Sequence, residues 1–290
     1  MQDETYTDEL GVTYSIDRKT LIDANHLTFH AKEYHIPEGT VRIEANAFYG
    51  CESLEKIYIP GSVTYEDGSL CEGCRSLKSA RLSPNIKHPQ IAMFYGCVSL
   101  EEVILPEGIM SIGENMFSGC KSLKKIHLPS SIRYFSNETF CDSGIEEIML
   151  PDALESIGDD AFVGCRSLKR LTIPRSVKEI GGWLVQGHAG FEGIECLSPH
   201  FRVESDCLIS NDDNALIACW TKEQTLHVPE SVRIIKSICN DQIERVVIAS
   251  PIDKIGRDAF CANPHLKEII YEAEVKEAEE SYGCDHIIGI

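Results

Sequence analysis

The chain has no long apolar run. In 290 residues no stretch approaches the ~18 apolar positions of a membrane-spanning helix, so membrane insertion is not expected. Basic residues are scarce. The 27 Lys and Arg stand against 46 Asp and Glu, a formal net charge of −19. Nucleic-acid phosphates and anionic bilayers both need a basic face, so nucleic acid and membrane surfaces are poor partners. The start, Met1-Gln2-Asp3-Glu4-Thr5, lacks the basic and apolar segments of a secretory leader, which leaves a cytoplasmic location open. Catalytic signatures are missing as well: there is no Gly-x-Ser-x-Gly, Walker loop, Gly-x-Gly-x-x-Gly or His-Glu-x-x-His. No enzyme activity, cofactor or metal is expected.

What is present is a period. Cys51, Cys74, Cys97 and Cys120 follow one another at 23 residues, and Cys165 falls 45 after Cys120. Glycine precedes each of these and leucine follows three residues later: Leu54, Leu77, Leu100, Leu123 and Leu168. Further columns keep step. Phe48, Phe94, Phe117, Phe140 and Phe162 form one; Ile43, Ile112, Phe135, Ile157 and Ile180 form another. Such self-similarity marks a solenoid, in which each unit buries its neighbour's apolar face.

Each unit carries a local code. Pairs such as Ile126 and Leu128 alternate like a short strand with one face buried. Proline then ends the strand, because it has no N–H for the ladder. A turn or single helical turn is expected around segments such as Gly158-Asp159-Asp160-Ala161-Phe162. The thirteen cysteines are an odd number, so at least one is unpaired in a monomer. Their column position predicts core thiols, which suit a reducing cytosol or an anoxic exterior.

The columns divide the chain. Residues 1–33 read as an N-terminal cap with a β-hairpin, 34–197 as seven units, and 198–225 as a second hairpin. Residues 226–271 supply two more units and 272–290 an acidic cap that opens on a helix-prone run. All five form one continuous solenoid. The two hairpins align through Ser15/Ser210, Asp17/Asp212, Leu21/Leu216 and Ile22/Ile217. The fifth unit is one residue short near Cys141–Gly144. Glu66 and Pro89 stand where isoleucine is expected, His188 replaces a column cysteine, and Asn263 takes the same place in the last unit.

These columns resemble the BspA-like leucine-rich repeats. Ile145, Ile148, Leu150-Pro151, Leu154, Ile157-Gly158, Ala161-Phe162 and Gly164-Cys165 follow that family's pattern closely. The resemblance covers 34–271. It implies a β-rich α/β solenoid: a leucine-rich-repeat right-handed superhelix with short strands on the concave side, short helical turns and minor strands elsewhere, and two β-hairpin insertions. It also implies a bacterial cell-surface or secreted protein engaged in adhesion.

Other chemistry reduces to structure. Cys71-x-x-Cys74 has the spacing of half a zinc site, but both residues fall in core columns. His35, His127 and His227 sit in strands, pointing outward and far apart. Asn211-Asp212-Asp213-Asn214 lacks the spaced ligands of a calcium loop and reads as a hairpin turn. The strand face is therefore the expected binding surface, for a protein or glycan. Its candidate residues are Tyr58, Arg81, Ile104, His127, Met149, Arg170 and Thr172, since aromatic, Arg and Met side chains are enriched at interfaces. Self-association into a structural surface layer is the alternative. An enzyme would need a cleft, for which 198–225 is the expected place.

Overall fold

The computed structural model describes residues 4–257, 259–261, 263–278 and 288–289. The chain winds into a β-solenoid of about 11 turns. Most turns place one short strand on a first face. Glu33–His35, Lys56–Tyr58, Ser79–Arg81 and Glu102–Ile104 form one parallel ladder in strict register. Alternation sends Tyr34, Ile57, Ala80 and Val103 inward and leaves their neighbours outside.

A second face carries shorter ladders. Arg42–Ile43 pairs with Tyr65–Glu66, and the series resumes as Ser111–Ile112, Tyr134–Phe135, Ser156–Ile157 and Glu179–Ile180. The gap between the two series falls at Pro89, which has no N–H to offer. Glu66, buried in the position expected for isoleucine, spans that gap. Its carboxylate accepts from the Gly68 N–H at 2.7 Å and the Gln90 N–H at 2.5 Å. The two departures from the repeat thus compensate each other.

Between the faces lie stacked columns. The rings of Phe94, Phe117, Phe140 and Phe162 lie 5.4–5.9 Å apart and nearly parallel. Leu54, Leu77, Leu100 and Leu123 are fully buried beside them. The column cysteines do more than fill space. The Cys74 thiol donates to the Phe48 carbonyl at 2.9 Å, Cys97 to Cys71 at 3.0 Å and Cys120 to Phe94 at 3.2 Å. Asn263 repeats the device with its amide, donating to Ile238 and Phe260 carbonyls. A buried carbonyl left without a donor is costly, which explains why thiol and amide share one column.

No helix occurs among the described residues, so the expected helical turns are not found. The reason lies in left-handed positions at the corners. Asn46, Ser69, Ala92, Asn115, Glu138, Asp160 and Trp183 all have φ of 47–62°, and Gly50, Gly73, Gly96, Gly119 and Gly164 follow at 64–73°. A residue with positive φ cannot continue a right-handed helix. The acidic tail departs in the same direction. Val275–Ala278 is a strand paired in parallel with Ile252–Ile255, because an open ladder edge outweighs weak helix propensity. Residues 279–287 and 290 of the expected cap lie outside the described residues.

The two hairpins share one plan. Thr5–Thr7, Val12–Ser15 and Thr20–Ala24 are antiparallel, as are Phe201–Glu204, Cys207–Ser210 and Ala215–Cys219. Each shifts register at the same place, Thr13/Tyr14 in one and Leu208/Ile209 in the other. Each then hands its last strand to a parallel ladder. The second is a true insertion, since Gly187 bridges directly to Asn240 across it. At the N-terminal end Tyr14 and Tyr34 share a 2.6 Å hydroxyl contact, and Tyr34 donates to Asp8 at 2.5 Å, sealing the first unit.

Candidate functional site

The outward side chains of the first face form a row. Register places His35 beside Tyr58, Tyr58 beside Arg81 and Arg81 beside Ile104. The His35 and Tyr58 rings stack at 4.1 Å and 13°. Below them a 650 Å³ cleft opens against Pro37 and Pro60, which follow the ends of their strands, and Pro84, with Arg81 on its wall. Three of the expected residues, Tyr58, Arg81 and Ile104, are therefore contiguous. Ile104 is half exposed and shares a 320 Å³ cleft with His127.

Beyond Ile104 the face changes. His127 and Met149 keep their place in the repeat and are exposed, but the segments that carry them belong to no ladder. The expected strand around His127 is thus absent. Met149 is 85% exposed and borders none of the clefts on this face. Arg170 and Thr172 lie on the strand Arg170–Ile173, which pairs with Gly193–Cys196, and both line a 690 Å³ cleft. Arg170 is tied to Glu192 at 2.6 Å, and the Thr172 hydroxyl contacts Glu195 at 3.3 Å. The 690, 650 and 320 Å³ clefts lie along the strand face, and none of them is lined by residues of 198–225, the place where an enzyme would have needed one.

One column escaped the sequence reading. One position before the strands stand Lys32, Glu55, Lys78, Glu101, Lys124, Glu146, Lys169 and Glu192, alternating in sign without a break. Glu55 is held between Lys78 at 2.7 Å and Lys32 at 2.9 Å. The Lys78 hydrogen bond, then that of Lys32, pulls its carboxyl down to about 2. Lys124 and Glu146 pair at 2.9 Å. The signal was available, since the same period read one residue earlier reveals it. The column one residue later also pairs in part, as Lys125 with Glu147 at 2.8 Å.

Among the described residues no three His, Cys, Asp or Glu side chains converge as a metal site. Burial pushes the thiols of Cys51 and Cys239 up to about 12 and that of Cys165 to about 11, which disfavours the reactive thiolate. Cys71 and Cys74 are both fully buried in their columns. Cys261 is the departure: it is exposed and disulfide-bonded, so the cysteines are not uniformly core thiols. The Asn211–Asn214 turn spends its amide oxygens on the Arg202 guanidinium at 2.9 and 3.0 Å.

The chain matches the family model "BspA type Leucine rich repeat region", in six copies, over residues 25–145, 90–214 and 191–284. No curated protein matches. Among solved structures it is similar to a T. pallidum leucine-rich repeat protein, with 25% identity and a TM-score of 0.56, covering 65% of this chain and 91% of that one. A leucine-rich repeat protein from Bacteroides ovatus aligns over 100% of this chain and 81% of its own, at 22% identity and a TM-score of 0.61. A leucine rich cell surface protein from Faecalibacterium prausnitzii covers 99% and 78%, at 19% identity and 0.59. With family matches that together run from residue 25 to 284 and agree with the columns of the core, this chain belongs to the BspA-type leucine-rich repeat proteins.

Proposed function

We propose that the chain is a non-catalytic binding protein of the bacterial surface type, whose strand face engages a protein or glycan partner in adhesion. The observation that carries this reading is the in-register row His35–Tyr58–Arg81–Ile104. Aromatic, guanidinium and aliphatic side chains stand side by side on a rigid ladder, the mixture found at energetic centres of interfaces. Rigid presentation lowers the ordering cost of association. The surface location of the F. prausnitzii neighbour supports the compartment, and no helix among the described residues is long and apolar enough to cross a membrane.

The test is capture of host-cell surface glycoproteins by the immobilised chain. Arg81→Glu combined with Arg170→Glu should weaken capture by about tenfold or more, the scale of losing one buried charge-assisted contact. Both side chains are exposed, so the thermal midpoint should hardly move. Capture equal to that of the unaltered chain would contradict the assignment.

A further inference from the structure

The second hairpin carries two cysteines that the repeat does not account for. Cys51, Cys74, Cys97, Cys120 and Cys165 follow a glycine and hold the closing position of their units. Cys207 follows Asp206 and Cys219 follows Ala218. Cys207 opens one strand of the hairpin, Cys219 closes the next, and register sets them directly opposite each other. In the first hairpin the aligned places hold Val12 and Ala24, which also face each other and are also buried. A small apolar pair is thus enough to fill this position. Cysteine on both strands adds something that packing does not require.

The backbone fixes which kind of pair this is. The Trp220 N–H donates to Asp206 O at 2.9 Å. In an antiparallel ladder that bond flanks a pair whose own N–H and C=O groups point away from each other. Cys207 and Cys219 are therefore a non-hydrogen-bonded pair, the kind whose Cα atoms lie about 4.5 Å apart with side chains close together. Disulfides take Cα separations of about 4.4–6.8 Å, so the strands need not move to be bridged. The two thiols already hydrogen-bond one another. Both side chains are fully buried, in the core that the hairpin shares with Leu226, Ile235 and Val246. Oxidised sulfur is present elsewhere in the chain, at Cys261.

We infer that Cys207 and Cys219 are a disulfide site, closed by exchange with an external disulfide such as oxidised glutathione, and that the bridge locks the base of the hairpin insertion. One thiolate attacks an external sulfur and releases the other as a thiol, leaving a mixed disulfide. The second thiolate then attacks the protein sulfur of that bond, and the remaining external sulfur leaves as a thiol. The two cysteines lose their S–H hydrogens and are oxidised; the external disulfide gains them and is reduced. Exchange takes place before the hairpin packs down, since both side chains are out of reach of solvent afterwards. The same burial then shields the bridge from reductant. The cross-link ties Cys207–Ser210 to Ala215–Cys219, the strand from which the parallel ladder with Ile234–Ile235 starts.

The full chain is refolded in a mixture of oxidised and reduced glutathione, capped with iodoacetamide after denaturation, and cut with trypsin without reductant. Both cysteines fall in the segment Val203–Lys222, which has no internal Lys or Arg. That segment should be uncapped and lighter than its reduced form by two hydrogens. Further cleavage at Asp212 or Asp213 should leave its halves joined until reductant is added. Capping of both cysteines, or linkage of either to glutathione or to another cysteine instead, would overturn the inference. The double variant Cys207→Val with Cys219→Ala carries the pair that the first hairpin uses. Reductant should lower the thermal midpoint of the unaltered chain by about 5 °C or more beyond any drop in this variant, which keeps the Cys261 bond. Equal drops in the two would mean that no bridge locks the hairpin. The mass measurement on the unaltered chain decides the matter by itself if the variant folds poorly.

Discussion

Single residues decide which turns of this chain are strained and which are inert. Asp160 occupies a left-handed corner position, at φ 56°, that Asn46 and Asn115 occupy elsewhere. Burial first, then the charges of Glu138 and Asp159, hold its carboxyl up at about 6 against an ordinary 3.8. A folded value above the unfolded one means that the favourable protonated form is fully present below pH 3.8 and is lost as the pH rises through about 6. Asp160→Asn keeps the left-handed preference and removes the charge. It should raise stability at pH 7.5 by about 1 kcal/mol, a fraction of the full linkage value because the group is half solvated. The gain should vanish at pH 3.5, and denaturant melts at the two values check this. Equal effects at both would refute it. The column thiols make the opposite case. Since these side chains are fully buried away from reagent, iodoacetamide at pH 8 should leave Cys51, Cys74, Cys97 and Cys120 unmodified in the native chain. All four should be labelled after denaturation, as read by peptide mass; native labelling would mean that the column opens.

At the scale of the strand and the turn, regular columns were legible and their interruptions were not. Leucine, phenylalanine and cysteine recur because every turn must fill the same volume, so period alone placed the core. The Lys32-to-Glu192 column obeys the same period but carries no hydrophobic signal, and it was passed over. Corner geometry was misread because Gly158-Asp159-Asp160 is compatible with a helical turn until two positive φ values rule it out. The break at His127 and Met149 is not announced by any residue in those segments, whose apolar alternation is that of the paired strands. Glu66 looked like a lapse in the repeat and is a repair. Glu66→Ile would restore the apolar column but strand the Gly68 and Gln90 N–H groups. It should therefore destabilise by about 1–3 kcal/mol, the cost of unsatisfied buried donors. A rise in thermal midpoint would show that the column matters more than the bridge.

Across the whole molecule the excess of acid does not prevent stacking, because neighbouring turns carry opposite signs where their side chains meet. The pairs are exposed, so each contributes little alone; their effect is to fix which turn lies on which. Stability in such a chain is a sum over neighbouring turns, and this face is well paired in one stretch and lacks ladder pairing in the next. The most direct test is native-state amide exchange along the strand face of the free chain. The amides of Ile57, Ala80 and Val103 should exchange slowly, and those of His127, Met149, Arg170 and Thr172 faster by about a hundredfold or more, the spread between paired and open backbone. Uniform protection along the whole face would contradict that division.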